Sequence, residues 1–250
     1  MPSSFSITDT GRHRDMNQDY VFTSDIPVGS LPNLYIVADG MGGHNAGDYA
    51  SRFTVNSVAE SVMEAKDKDP ARILEQALVK ANAALREAAQ ADRTLYGMGT
   101  TFVAATVRDS HLLAVNVGDS RLYVLHAPGK IHQVTVDHSL VEEMVQAGRI
   151  DRETARHMPD KNIITRAVGA EDGIIVDCFR ELLTEGDLLL LCSDGLTNMV
   201  EEDEIARIVF SFRSLEKAAD RLVYAANMAG GTDNISAVLV NPFETGRWLP

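Results

Sequence analysis

Apolar positions change period several times along this chain. Short β-rich runs come first, at residues 5–7, 20–22 and 34–38, and read as strands. Tyr49, Phe53, Val55, Val58 and Val62 then recur at helical spacing, followed by Ile73, Leu74, Ala77, Leu78, Ala81 and Leu85. These predict two amphipathic helices. The polar stretch between them ends in Pro70, a residue suited to the first turn of the second helix. Four β-branched runs follow, at 101–107, 112–117, 122–125 and 131–134. Turn residues separate them, and they predict an antiparallel meander. Residues 138–157 have helical composition but little apolar mass, which predicts a surface segment. Strands resume at 174–179 and 187–192, two helices are expected near 202–210 and 215–228, and a strand at 235–240 closes the pattern.

Consecutive strands without crossover helices argue against a doubly wound parallel sheet and predict an α+β fold, with sheets covered by helix pairs. No internal repeat or linker rich in Pro, Gly or Ser divides the 250 residues, so one continuous domain over 1–250 is expected.

Charge then narrows the function. Lys and Arg number 23 against 36 Asp and Glu, a formal charge of -13. Such a surface repels nucleic-acid backbones and anionic membranes, so neither is an expected partner. It also repels phosphorylated substrates, unless bound divalent cations reverse the sign locally. The longest apolar run is too short to span a bilayer, and Met1-Pro2-Ser3-Ser4-Phe5 lacks the features of a signal peptide. Cys178 and Cys192 sit in strand-like runs and read as buried free thiols suited to a reducing compartment. A soluble, cytoplasmic protein is expected.

Aspartates recur at the ends of apolar strands, often beside glycine: Asp39 before Gly40, Asp119 after Gly118, Asp194 before Gly195, and Asp233 after Gly230-Gly231-Thr232. Asp19 follows Asn17-Gln18. One Asp-Gly pair is ordinarily a turn. A set of them beside strands spread along the chain predicts a convergent carboxylate cluster, which needs cations to offset its repulsion. Oxygen donors with almost no His or Cys suit Mg²⁺ or Mn²⁺ rather than zinc.

These residues lie in segments that together resemble the PP2C (PPM) family of metal-dependent protein phosphatases in its bacterial form. In chain order they are Gly11-Arg12-His13-Arg14-Asp15-Met16-Asn17-Gln18-Asp19, Val37-Ala38-Asp39-Gly40-Met41-Gly42-Gly43-His44, Gly97-Met98-Gly99-Thr100-Thr101 and Val117-Gly118-Asp119-Ser120-Arg121. Asp137-His138-Ser139-Leu140, Ile164-Thr165-Arg166-Ala167-Val168-Gly169, Cys192-Ser193-Asp194-Gly195-Leu196 and Gly231-Thr232-Asp233-Asn234-Ile235-Ser236 complete the set.

The resemblance implies a four-layer α-β-β-α sandwich, two antiparallel sheets flanked by helix pairs. It implies hydrolysis of phosphoserine and phosphothreonine by a hydroxide bridging two Mn²⁺ or Mg²⁺ ions, with a third, weaker ion. Asp39 would bridge the two ions with help from the Gly40 carbonyl, and Asp194 and Asp233 would complete the site. Asp119 would serve the third ion, Asp19 would orient water from the outer shell, and Arg14 would bind the substrate phosphate. Many relatives carry an acidic residue where Gln18 stands. Animal-type relatives place His where Met41 stands, which leaves His44 as the candidate for substrate contact or proton handling. Residues 138–164 resemble the family's flap, expected to tune substrate choice. The implied partners are phosphorylated proteins and a cognate Ser/Thr kinase, with a monomeric working form. The competing readings are a two-metal hydrolase of small phosphoesters or nucleic acid, and a non-enzymatic phosphoprotein-binding pseudophosphatase.

Overall fold

A computed structural model describes residues 2–43 and 46–243. His44 lies outside the described residues.

Two all-antiparallel sheets form the centre. One has the strand order β1-β11-β10-β7-β8, with β1 at Ser3–Asp9, β7 at Arg121–His126, β8 at Lys130–Gln133, β10 at Leu188–Cys192 and β11 at Ile235–Asn241. The other has the order β2-β3-β5-β6-β9, with β2 at Asp19–Ser24, β3 at Leu34–Met41, β5 at Phe102–Arg108, β6 at His111–Val117 and β9 at Asp177–Leu182. The two-residue β4, Gly99–Thr100, pairs with the end of β3.

The period-2 pattern of the strands sorts side chains into layers. Val37, Val103, Ala105, Leu122, Val124, Leu189, Leu191 and Val238 fill the space between the sheets. Their sequence neighbours Ile36, Ala38, Phe102 and Ala104 turn outward under α1 (Ala46–Glu64) and α2 (Pro70–Ala91). Tyr123, Leu190 and Leu239 meet α6 (Glu202–Phe210) and α7 (Leu215–Met228). The α+β class and four-layer order hold as expected. Asp69 caps α2 by accepting from the Ala71 N–H at 3.1 Å, which places Pro70 at the first helical position as anticipated.

Three expectations need correction. Residues 101–134 form no single meander: β5 and β6 pair in one sheet, whereas β7 and β8 pair in the other. The chain changes sheet at Gly118-Asp119-Ser120, where Gly118 adopts φ +107. The strand expected at 174–179 begins at Asp177. Its pairing with β6 starts there, with Asn116 facing Asp177, and among the described residues 174–176 pair with no strand. Cys192 is buried as expected, but Cys178 is exposed. It lies on the edge strand β9, whose Phe179 turns into the layer between the sheets and leaves Cys178 facing out. Both cysteines are free, and burial pushes the Cys192 thiol up to about 12. The segment after Asp137 folds as two short surface helices, α3 (Leu140–Gln146) and α4 (Arg152–His157).

Candidate metal centre

Antiparallel pairing places the end of one strand beside the start of the next. In this chain it gathers the aspartate-bearing turns at one edge of both sheets. Asp19 opens β2 directly opposite Asp39 on β3. Asp119 joins β6 to β7, Asp194 follows β10 at the start of the four-residue helix α5 (Asp194–Thr197), and Asp233 precedes β11.

Close backbone approach holds these turns together. A Cβ on Gly40 would lie 2.0 Å from the Gly47 carbonyl oxygen, and one on Gly195 would lie 1.9 Å from that of Asn234. Only glycine permits either contact. Asp39 is fixed through its backbone: its N–H donates to Thr101 Oγ1 at 2.9 Å, and its carbonyl accepts from Thr100 Oγ1 and the Thr101 N–H, both at 2.8 Å.

Asn234 ties down the loop that carries Arg14. Its Nδ2 donates to the carbonyls of Thr10 and Met16 at 2.9 Å, and its Oδ1 accepts from the Gln18 N–H at 2.8 Å. His138 accepts the Gly118 N–H on Nδ1 at 3.0 Å, which fixes the turn of Asp119 and leaves its Nε2 proton for Asp177, 3.1 Å away. Asn234, His138 and Thr101 were not anticipated as organisers of the site. The Gln18 side-chain amide packs against Gly47 in the first turn of α1.

The carboxylates feel one another. Burial, followed by the charges of Asp19, Asp194, Asp119 and Asp233, holds the Asp39 carboxyl well above the usual range. Asp119, only 8% exposed, is raised by burial and then by Asp194 and Asp137, with Arg121 opposing. Asp194 is raised by burial and then by Asp233, again against Arg121. Asp19, 5% exposed, is pushed up to about 7 by burial and the charges of Asp194 and Asp233, although hydrogen bonds from Ser236 and Ser193 oppose the rise.

Three of the carboxylates also face a protein donor. Ser193 Oγ donates to Asp19 Oδ2 at 2.7 Å, Asn198 Nδ2 to Asp194 Oδ2 at 2.8 Å, and Arg14 pairs with Asp233 Oδ2 at 2.8 Å. Among the described residues no three His, Cys, Asp or Glu side chains lie close enough together to hold an ion as they stand. Two buried oxygens of the cluster nevertheless have no partner among the described residues, Asp19 Oδ1 and Asp194 Oδ1. Unsatisfied buried carboxylate oxygens beside further carboxylates form a hard, anionic donor set, and that set fits a divalent cation such as Mg²⁺ or Mn²⁺. Arg14 is half exposed at the mouth of the cluster, and α3, α4 and α5–α6 flank a cleft of about 510 Å³ with Asp119 and Asp194 on its wall.

These shifts have a thermodynamic consequence. A carboxyl with a folded-state pKa above its unfolded value of about 3.9 holds a proton more tightly when folded. Its contribution is present below that unfolded value and is lost as pH rises through the folded pKa, about 7 for Asp19. In EDTA, the part of stability that depends on Asp19 should therefore fall between roughly pH 4 and pH 7. Thermal unfolding of wild type and Asp19→Asn across that window checks this. The midpoint difference should shrink when Mn²⁺ is added, and parallel curves under all conditions would contradict the assignment.

The chain matches the family described as Protein phosphatase 2C over residues 11–230. It is 43% identical over 248 residues to a serine/threonine phosphatase, Stp, of Listeria welshimeri, covering 96% of each chain. The crystal structure of the serine/threonine phosphatase Stp1 from Staphylococcus aureus superposes with a TM-score of 0.89 at 34% identity, covering 96% of this chain and 94% of that one. The catalytic domain of the serine/threonine protein phosphatase PstP, solved in complex with 2 manganese ions, superposes with a TM-score of 0.84 at 30% identity, covering 96% and 97%.

Proposed function

Because this chain belongs to the protein phosphatase 2C family of metal-dependent serine/threonine protein phosphatases, we propose that its aspartate cluster is the catalytic centre for hydrolysis of phosphoserine and phosphothreonine in proteins. The single observation that carries this reading is the shared edge. Asp19, Asp39, Asp119, Asp194 and Asp233 come from turns far apart in sequence and act on one another's charge there, with unpaired buried oxygens.

Asp39, the Gly40 carbonyl, Asp194 and Asp233 would hold two Mn²⁺ or Mg²⁺ ions, and Asp119 with Asp194 a third. When bound, such ions supply Lewis acidity that lowers the pKa of water and offsets charge on phosphoryl oxygens. The residues do the rest. Glycine contacts at Gly40 and Gly195 fix the spacing of the carboxylates. Asp19, held by Ser193, would accept a hydrogen bond from water and orient it toward phosphorus. Arg14 leaves Asp233 for the substrate phosphate, a cheap exchange because the pair is half exposed and the phosphate offers more charge. No side-chain nucleophile is required.

Substrates are then phosphorylated proteins, and the enzyme opposes a Ser/Thr kinase. The flap at about 138–164 borders the cleft through which such a protein approaches, within one catalytic unit spanning 1–250.

The test compares a phosphothreonine peptide, a nucleotide and DNA in Mn²⁺, with EDTA controls. The peptide should be hydrolysed fastest, and Arg14→Ala should raise its KM by roughly tenfold to a hundredfold. Faster hydrolysis of nucleotide or DNA would make the protein a different two-metal hydrolase. Peptide binding without turnover would make it a pseudophosphatase.

A further inference from the structure

A second groove, of about 960 Å³, opens beside the metal centre, lined by the end of α2, the Tyr96–Gly99 turn and the Ala167–Ala170 turn. It begins at Met41, the residue after Gly40, where β3 pairs with β4 through Met41 and Gly99. Its floor is built from small residues such as Gly99 and Ala167, with Met98 buried beneath. Small floor residues let a peptide backbone lie close, and the partly exposed Met41 offers an adaptable apolar surface.

Its charge is opposite to that of the molecule. The chain carries -13 overall, yet among the described residues the groove is lined by Arg86 and Arg93 and by no carboxylate. Arg86 is committed. It donates to the Ala170 carbonyl at 2.9 Å and pairs with Asp172. Arg93 is exposed, and among the described residues its side chain has no hydrogen bond or ion pair. The adjacent Asp92 carboxylate is turned into its own helical turn, accepting from the Thr94 N–H at 2.8 Å and Thr94 Oγ1 at 2.7 Å. Tyr96 stands over the groove at 85% exposure, the most exposed of the large hydrophobic side chains among the described residues. A free guanidinium and an exposed phenol ring at the rim of a groove are a typical recognition pair.

We infer that this groove seats the segment of the phosphoprotein substrate flanking the phosphoresidue, in extended form, and that Arg93 and Tyr96 select an acidic side chain in that segment. The inference rests on the proposed phosphatase reading. It assigns the occupant by charge complementarity and by continuity, because the groove starts one residue from the carbonyl assigned to the metal. Arg93 and Tyr96 are specificity residues that take no part in the chemistry.

The experiment uses phosphothreonine peptides with aspartates on the N-terminal flank, the C-terminal flank or neither, and p-nitrophenyl phosphate as a substrate too small to reach the groove. Wild type should prefer aspartate on one flank only. Arg93→Glu should lower kcat/KM on that peptide by roughly fivefold or more, through KM, while leaving the neutral peptide and p-nitrophenyl phosphate unchanged. Tyr96→Ala should weaken the same peptide, and both exposed substitutions should leave the unfolding temperature in place. Equal losses on acidic and neutral peptides, or no loss, would overturn the inference. Fluorescence anisotropy of the labelled peptides on metal-free protein supplies a readout free of turnover. Tighter, salt-sensitive binding of the acidic peptide that Arg93→Glu abolishes supports the groove even if no phosphoester is hydrolysed, and indifference to Arg93 refutes it.

Discussion

Asp39→Asn should lose on the order of a thousandfold or more in kcat on a phosphothreonine peptide, while its metal-free form becomes more stable than wild type. Both effects have one cause. Asp39 is a partly buried carboxyl near Asp19, Asp194, Asp119 and Asp233, whose charges add to the cost of its desolvation. With cations bound as proposed, that charge would help hold them, and the amide could not replace it. Without cations, the charge is a liability, and the amide relieves about 1–3 kcal/mol of it. Turnover in Mn²⁺ and thermal unfolding in EDTA, measured on one preparation, check both halves. A residue that merely supported the fold would lose stability together with activity. Retained turnover, or a less stable metal-free form, would remove Asp39 from the centre.

The second large effect concerns Gly195→Ala. The added methyl would meet the Asn234 carbonyl oxygen at 1.9 Å and its carbon at 2.9 Å, and both are backbone atoms of the turn that carries Asp233. Backbone cannot rotate aside as a side-chain end can, so α5 and the Asp233 turn must separate. That separation pulls Asp194 from Asp233 and strains Asn234, which holds the Thr10 and Met16 carbonyls and the Gln18 N–H. The expected cost is about 3 kcal/mol in stability, at the upper end for overpacking, together with loss of Mn²⁺-dependent turnover. Gly173→Ala is the control: nothing lies within 4 Å of its Cβ position, and no unfolding shift is expected there. Urea unfolding of the two variants at one Mn²⁺ concentration makes the comparison. Equal midpoints would show that the turns are not locked as described.

What the sequence revealed follows from which forces are local. Strands and helices were legible because burial imposes period 2 or 3.6 on neighbouring residues, as in Val37, Ala38 and Phe102 through Ala105. Partner choice was not. Residues 112–117 and 122–125 look like successive strands of one meander, yet the backbone turn at Gly118 sends them into different sheets. Nothing local separates a hairpin glycine from one that crosses between layers. The early start expected for β9 failed similarly, because Ile174 and Val176 are apolar through contact with the helix-side core without pairing in the sheet.

At the site, the aspartates were legible because charge at apolar strand ends demands an explanation. The groups that hold them were harder to see. Asn234, His138 and Thr101 act through backbone N–H and carbonyl groups distant in sequence, so no spacing rule exposes them. The Arg14–Asp233 pair was equally hidden, since the two residues are 219 positions apart.

Mn²⁺ binding stoichiometry, measured by calorimetric titration of metal-free wild type and Asp39→Asn, tests the central claim most directly. Two tight ions per wild-type chain are expected, with a third, weaker one, and Asp39→Asn should lose the tight pair. Failure of wild type to bind Mn²⁺, or unchanged tight binding by Asp39→Asn, would contradict the assignment of this carboxylate cluster as the catalytic metal centre.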